Sequence, residues 1–356
     1  MVKHMNTKRG LNNILYGILS QVITMGISII VPRLVLINLG SETNGLLHSI
    51  STVFTYLSLL EAGVGKATNQ ALYKPLASDD KNEINRIMAA TNKFYRRTGY
   101  IYAAAVLVFA AVYCLFVKTS LPATLVFSVI VLSGASSVLS YFVQGKYRVL
   151  MGAEGKGYIL TNISTAATIL TSVCKILLLV WGFGVVPIQG MYLFFSFLQM
   201  LLVVRYIRRD YKWLDLKVEP DYDAISQRNY VLLHQITGMI FDNTDILLLT
   251  VMADLKVVSV YSMYTTFYTI IKSILNIISY SYSYALGQIF HADKEKFKRL
   301  HDVYEAYNMS LTFSFICILN LFILPFIRIY TSGVTDISYV DPYLPVLFTT
   351  VYLLSN

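Results

Sequence analysis

The sequence predicts an all-α polytopic membrane protein, built as a two-lobed helix bundle with about ten transmembrane helices. Three observations carry that prediction. The 356 residues are 56% hydrophobic and only 14% charged, with a mean hydropathy of +0.58, whereas a soluble domain carries about 25% charge. Apolar runs recur along the whole chain, each close to the ~20 residues a helix needs to cross a bilayer. The lysines and arginines between those runs alternate in abundance from one connection to the next.

Taken in order, the runs place spans at 12–38, 45–72, 98–117, 122–144, 159–182, 186–206, 229–252, 257–289, 306–330 and from 343 onward. The opening "MVKHMNTKRG" imitates the basic start of a signal peptide. The apolar run behind it, Leu11 to Leu39, is too long for one and shows no small-residue cleavage site, so it reads as an uncleaved first span. The second and eighth spans are long and polar enough to extend beyond the hydrocarbon. The tenth is still apolar at Asn356, as expected of a chain truncated before its last helices.

Charge orients these spans. With the N-terminus in the cytoplasm, 22 of the 29 lysines and arginines fall in inner connections, clustered over 3–9, 74–97, 146–156, 205–228 and 294–299. Three, Lys118, Lys256 and Arg328, fall in or near outer ones. That is the positive-inside pattern. The net charge of +9 is therefore mostly a topology signal, and no nucleic-acid partner is expected.

The chain also reads as two halves. "ALYKPLASDDKNEINR" (71–86) resembles "ALGQIFHADKEKFKRL" (285–300), and in each a long polar-striped span runs into a charged inner segment, the mark of an internal repeat. An N-lobe over 1–207 (helices 1–6), a cytoplasmic linker over 208–228 and a C-lobe over 229–356 (helices 7–10) follow.

Helical spacing turns the polar residues into stripes. Tyr261, Thr265, Tyr268, Lys272, Asn276, Ser279 and Ser283 draw a line along the eighth span. Lys272, near its middle, is too central to snorkel cheaply and is the leading functional candidate. In the seventh span His234, Gly238, Asp242 and Asp245 lie within roughly 80° of arc at about 100° per residue. Milder stripes run through Asn13, Gly17, Gln21, Thr24 and Ser28, and through Thr55, Ser58, Glu61, Gly65 and Asn69. Stripes on the first two spans of each lobe predict a polar cavity enclosed between lobes.

A charge within the bilayer costs at least a few kcal/mol, so each of these groups needs an account. For Asp242 and Asp245 two readings stand: pairing with Lys272 or capping backbone, or coupling an ion or proton. His234 is either a polar interhelix contact or a proton carrier. Glu61 joins the carboxylates as an ion-coupling or charge-balancing candidate. Lys66, Arg33 and Lys175 lie towards the bilayer edges, where snorkelling and substrate contact both fit.

Short motifs offer no enzymatic chemistry. "GVGKAT" (63–68) departs from a phosphate loop at Leu60 and Ala67, which stand where the loop has Gly and Ser or Thr. Cys114, Cys174 and Cys317 sit far apart in apolar runs, without metal spacing. No metal or cofactor is expected.

Two segments resemble a known family. "LVLINLGSETNGLLHSISTVFTYLSLLEAGVGKATNQALYK" (34–74) is similar to the first-to-second helix region of Wzx-like polysaccharide flippases. These belong to the multidrug/oligosaccharidyl-lipid/polysaccharide (MOP) exporter superfamily. "DNTDILLLTVMADLKVVSVYSMYTTFYTII" (242–271) resembles the corresponding second-lobe region. Asn44-Gly45 stands where an aromatic–glycine pair is more usual, and Val260-Tyr261 lacks the glycine often seen beside that tyrosine.

The resemblance implies a MOP/MATE-like two-lobed bundle, longer than this chain, in the cytoplasmic membrane of a bacterium or archaeon. It implies a flippase that moves polyprenyl-diphosphate-linked oligosaccharide by alternating access for surface polysaccharide biosynthesis, with H⁺ or Na⁺ as candidate coupling ions. The lipid-linked substrate, membrane lipids, a polysaccharide polymerase and glycosyltransferases are the implied partners. Lys272, Arg33, Lys66 and Lys175 become candidate diphosphate contacts, and Tyr261, Tyr264, Tyr268 and Asn276 candidate sugar contacts. A cation-coupled multidrug or metabolite exporter of the same superfamily is the alternative. A membrane glycosyltransferase or polymerase is disfavoured by the very short outer connections "GSETN", "KTSLP" and "GFGVVP".

Overall fold

The computed structural model describes residues 2–225, 239–240, 243–292 and 294–355. Its regular elements are α1 (Val2–Leu57), α2 (Leu59–Ala77), α3 (Lys81–Phe116), α4 (Ala123–Val143), α5 (Gly145–Ala153), α6 (Gly157–Val180), α7 (Val185–Asp210), α8 (Asn243–Met252), α9 (Leu255–Ala292), α10 (Lys294–Tyr330) and α11 (Tyr343–Ser355). A 3-10 turn covers Asp223–Ile225, and no strand occurs among the described residues. The chain forms two compact units, Met1–Val258 and Ser259–Asn356.

Among the described residues six helical stretches are long and apolar enough to cross a membrane, and α8 and α11 are shorter apolar helices. Their outward faces carry large apolar side chains such as Leu115, Phe116 and Val180, each more than half exposed. In water such continuous faces would drive aggregation. In lipid they are the solvated surface, and helices satisfy every backbone group internally. The protein is a multi-pass membrane protein.

The first apolar stretch, Leu11–Glu61, has 51 residues. As one straight helix it would reach roughly 75 Å, more than twice the ~30 Å of hydrocarbon. Gly40, with φ 83°, breaks it in the left-handed region that glycine enters without strain. Contacts show that the chain reverses there. Before the break, Asn13 meets Gly155 and Ser20 meets Thr165. After it, Glu42 meets Thr119, Ser49 meets Tyr113 and Glu61 meets Tyr95.

Two helices begin earlier than their apolar spans. Asp80 caps α3, its carboxylate accepting from the Asn82 and Glu83 amides at 3.1 Å. The charged stretch 81–97 is therefore helix, and the expected span 98–117 is its second half. α10 likewise starts at Lys294 rather than 306. Short α5 occupies a segment expected to be a plain connection.

In the first unit α1 packs on α6, α3 on α4 and α2, and α7 on α4 and α6. Glycine lets the α3–α4 contact, and an approach of α1 to Leu255, close. A Cβ on Gly134 would sit 2.5 Å from Val106, and one on Gly45 would sit 1.8 Å from the Leu255 carbonyl oxygen. One end of the unit gathers the cation-rich connections. There Arg9 donates to the Glu154 carbonyl (3.1 Å), Lys156 pairs with the Glu154 carboxylate (2.6 Å), and Tyr211 donates to that carboxylate (2.5 Å). Burial and the adjacent Glu154 charge push the Tyr211 phenol well above its ordinary range, so it stays a donor. Asn85 ties down the following segment through the Trp213 carbonyl (3.3 Å) and the Asp215 amide (3.1 Å). At the opposite end the Glu42 carboxylate accepts from the Thr119 hydroxyl (2.7 Å), the Ser120 amide (2.6 Å) and the Ser120 hydroxyl.

In the second unit, Leu275, Ile316 and Tyr352 form a small core. The irregular segment 331–342 joins α10 to α11, and side chains of α9 pair with its backbone.

Candidate functional site

A cavity of about 450 Å³ lies wholly within the first unit. The second half of α1 contributes Ser51, Phe54 and Thr55, followed by Ser58; α4 contributes Ser133 and Ser137, α6 contributes Lys175, and α7 contributes Gln189 and Tyr192. The hydroxyl hydrogens are largely returned to the helix backbone. Thr55 donates to the Ser51 carbonyl (3.0 Å), Ser58 to Thr55 (2.6 Å) and Ser133 to Val129 (2.7 Å). This local bonding is the ordinary behaviour of Ser and Thr inside helices. It leaves oxygen lone pairs able to accept from a ligand. The Lys175 ammonium stands 5.1 Å from the centroid of the Tyr192 ring, where the ring quadrupole stabilises it. The cavity thus combines one fixed cation with hydroxyl oxygens and an amide.

Of the four candidate cations, Lys175 lines this cavity; Arg33, Lys66 and Lys272 are not among its walls. Arg33 is half-buried on α1 beside Pro32, Lys66 is exposed on α2 and Lys272 is half-buried on α9. Glu61 accepts from the Tyr95 hydroxyl at 2.5 Å, within a cluster where the Tyr95 and Tyr141 rings lie 6.2 Å apart and the Tyr102 and Tyr141 rings 5.0 Å. Asp245 is half-buried on α8, its carboxylate accepting from the Ile246 amide at 2.9 Å. Asp242 and His234 lie outside the described residues.

The candidate sugar contacts sit in the second unit. Tyr264 is fully buried; its hydroxyl donates to the Tyr339 carbonyl (2.9 Å) and accepts from the Asp341 amide (3.0 Å). Tyr268 is buried and donates to the Pro345 carbonyl (2.9 Å). The Phe348 ring packs against Tyr261 at 4.8 Å and Tyr268 at 5.0 Å. Asn276 is exposed on α9.

The walls supplied by α4 and α7 were not anticipated. Ser133 and Ser137 are one helical step of four apart, and Ser164, Thr168, Thr171 and Lys175 follow steps of four and three on α6. That spacing was a usable signal. It is masked because hydroxyls that bond their own backbone are common in apolar helices without lining anything.

The fold and this cavity define a class: a multi-pass bundle of transporter architecture. Among solved structures, the chain is similar to a multidrug resistance MATE family transporter of the MOP superfamily in an inward-facing conformation. The TM-score is 0.70 at 15% identity, over 92% of this chain and 76% of that one. It is also similar to the lipid II flippase MurJ in an inward closed conformation, with TM-score 0.66 and 12% identity over 95% and 71%. A third likeness is to MATE in a bent conformation, with TM-score 0.62 and 15% identity over 98% and 79%. No curated protein matches the sequence. The profile of the polysaccharide biosynthesis protein family matches residues 11–284, and the chain belongs to that family.

Proposed function

We propose that this protein is a flippase that carries polyprenyl-diphosphate-linked oligosaccharide repeat units across the cytoplasmic membrane of a bacterium or archaeon. It acts as a transporter, not an enzyme, and serves surface polysaccharide biosynthesis. The observation that carries this reading is the cavity: one ammonium, Lys175, among hydroxyl oxygens inside an apolar helix bundle. The substrate's diphosphate and sugar head cannot enter lipid unaided. A cation makes charge-assisted bonds to phosphate oxygens, and the Ser and Thr oxygens accept from sugar hydroxyls. Family membership and the fold shared with a lipid II flippase support the same substrate chemistry.

In this reading the cation-rich end, with the N-terminus, faces the cytoplasm, and the lobes 1–207 and 229–356 alternate access. Glu61 and Asp245 are the described carboxylates available to couple H⁺ or Na⁺. The exporter alternative draws on the likeness to MATE transporters, but a fixed ammonium in the cavity repels the cationic compounds such exporters would carry.

The test is to delete the full-length gene and quantify polyprenyl-diphosphate-linked oligosaccharide by mass spectrometry, with and without plasmid rescue. Accumulation of a complete repeat unit, reversed by the plasmid, is the expected result. No accumulation, with altered sensitivity to cationic drugs, would move the assignment to an exporter.

A further inference from the structure

A second cavity, of about 260 Å³, lies at the cation-rich end of the first unit, where α4 gives way to α5 and α6 begins. It shares no wall residue with the cavity described above. Gln144, Arg148, Gly157, Thr161, Ser164 and Gln199 line it.

Gln144 is the telling residue. It is 4% exposed, its amide nitrogen donates to the Ser140 hydroxyl at 3.1 Å, and its Oε1 meets no donor among the described residues. Buried polar atoms in folded proteins nearly always find a partner. The neighbouring walls do not supply one: Thr161 donates to the Gly157 carbonyl (3.2 Å) and Ser164 to the Thr161 carbonyl (2.9 Å). Three oxygens with free lone pairs therefore border this space, and they call for a ligand bearing several O–H groups.

The other half of the site asks for negative charge. Arg148 lines the cavity and, among the described residues, has no carboxylate within ion-pairing distance. The carboxylate of Glu154, in the same connection, is held by Lys156 and Tyr211. Gly157 is the first residue of α6, a helix of 24 residues; the flanking Lys156 side chain makes no cap, and the Tyr158 amide donates to Asn13 Oδ1 at 2.6 Å. The N-terminus of such a helix favours an anion. The volume falls below the ~300–1,000 Å³ of drug-sized pockets, which suits one ring rather than a chain.

We infer that this cavity binds a single sugar ring carrying a phosphate. Arg148 takes the phosphate, aided by the positive end of the α6 dipole; Gln144 Oε1, Thr161 and Ser164 accept from the ring hydroxyls; the Gln199 amide donates to a ring oxygen. The choice of a sugar over another polyhydroxylated anion rests on the proposed function, whereas the demand for hydroxyl donors plus one anion does not. Such a ligand reaches the site either as the head of the lipid-linked substrate or as a free sugar phosphate in the cytoplasm.

The experiment titrates the purified full chain in lipid nanodiscs with glucose, galactose and mannose 1-phosphates by isothermal calorimetry. The parent sugars and inorganic phosphate serve as separate probes. At least one sugar phosphate should bind saturably and at least tenfold more tightly than either of its fragments. Arg148→Gln, at an exposed position, should weaken that binding at least tenfold, and Gln144→Leu severalfold. Competition with a short-chain isoprenyl-diphosphate sugar then separates the sources: displacement assigns the site to the lipid-linked head, and its absence assigns it to a free sugar phosphate. No saturable binding, or binding untouched by Arg148→Gln, overturns the inference and leaves Gln144 to a water. Binding is read without transport, so a failed flippase test and a failed titration remain distinct results.

Discussion

The cavity of the first unit and the tyrosine-rich face of the second begin from the same sequence feature, polar residues at helical spacing, and end in opposite roles. In the first unit the hydroxyls belong to short side chains that bond their own helix, so their oxygens stay available beside open space. In the second, Tyr264 and Tyr268 reach beyond their helix and satisfy the backbone at Tyr339, Asp341 and Pro345. Buried backbone outside regular structure needs such partners, because an unpaired buried N–H or C=O is costly. A polar stripe thus reports a face that is not lipid. It does not report whether that face meets a ligand or a neighbouring segment.

The sharpest test of this contrast sets Lys175 against Lys272. A hydrogen bond to a charged group contributes about 1.5–3 kcal/mol, so Lys175→Gln should cut transport roughly ten- to a hundredfold. Accumulation of lipid-linked repeat units in a rescued deletion strain reads this out. Stability should hold or rise, since the substitution removes a cation that is unfavourable away from water. Lys272→Gln, on the face the sequence ranks first, should have the smaller effect. The reverse order, with both variants inserted normally, would shift the substrate site to the second unit.

Next in size is Tyr264→Phe. The substitution keeps the ring against its neighbours but leaves the Tyr339 carbonyl and the Asp341 amide without their buried partner. An unsatisfied buried group costs about 1–3 kcal/mol, visible as a lowered Tm in detergent and as faster hydrogen exchange at Asp341. Transport by the protein that remains folded should be retained. Loss of transport with unchanged Tm and unchanged exchange would make Tyr264 a ligand contact after all.

The limits of the sequence reading follow from the same physics. Among the described residues six apolar spans were legible, as was the cation asymmetry, because hydropathy and charge are summed over many residues and small local errors cancel. Helix starts were less legible: Asp80 extends α3 through the charged 81–97 stretch by capping two amides, a local effect invisible to hydropathy. The reversal at Gly40 was legible as a gap between runs. The stripe through Tyr261 and Tyr268 was legible as well, but Phe348, which packs on both rings, lies some eighty positions on and has no signal near α9. Lys175 was noted without its companions, because the Ser133 and Ser137 pair on α4 looks like any other pair of hydroxyls in an apolar helix.

The smallest expected effect falls on that pair and separates ligand binding from folding most cleanly. Ser133 donates to the Val129 carbonyl at 2.7 Å, a bond that competes with the helix ladder more than it supports it. Ser133→Ala removes it and places the best helix former at the position, so Tm should change little or rise slightly. The cavity loses one acceptor for a sugar hydroxyl. A neutral hydrogen bond contributes about 0.5–1.5 kcal/mol net, which sets the expected loss of apparent substrate affinity at roughly two- to tenfold, read as the concentration dependence of transport in proteoliposomes. If affinity is unchanged while Tm falls, the hydroxyl serves α4 rather than the substrate. The difference drawn here between the two units would then rest on Lys175 alone.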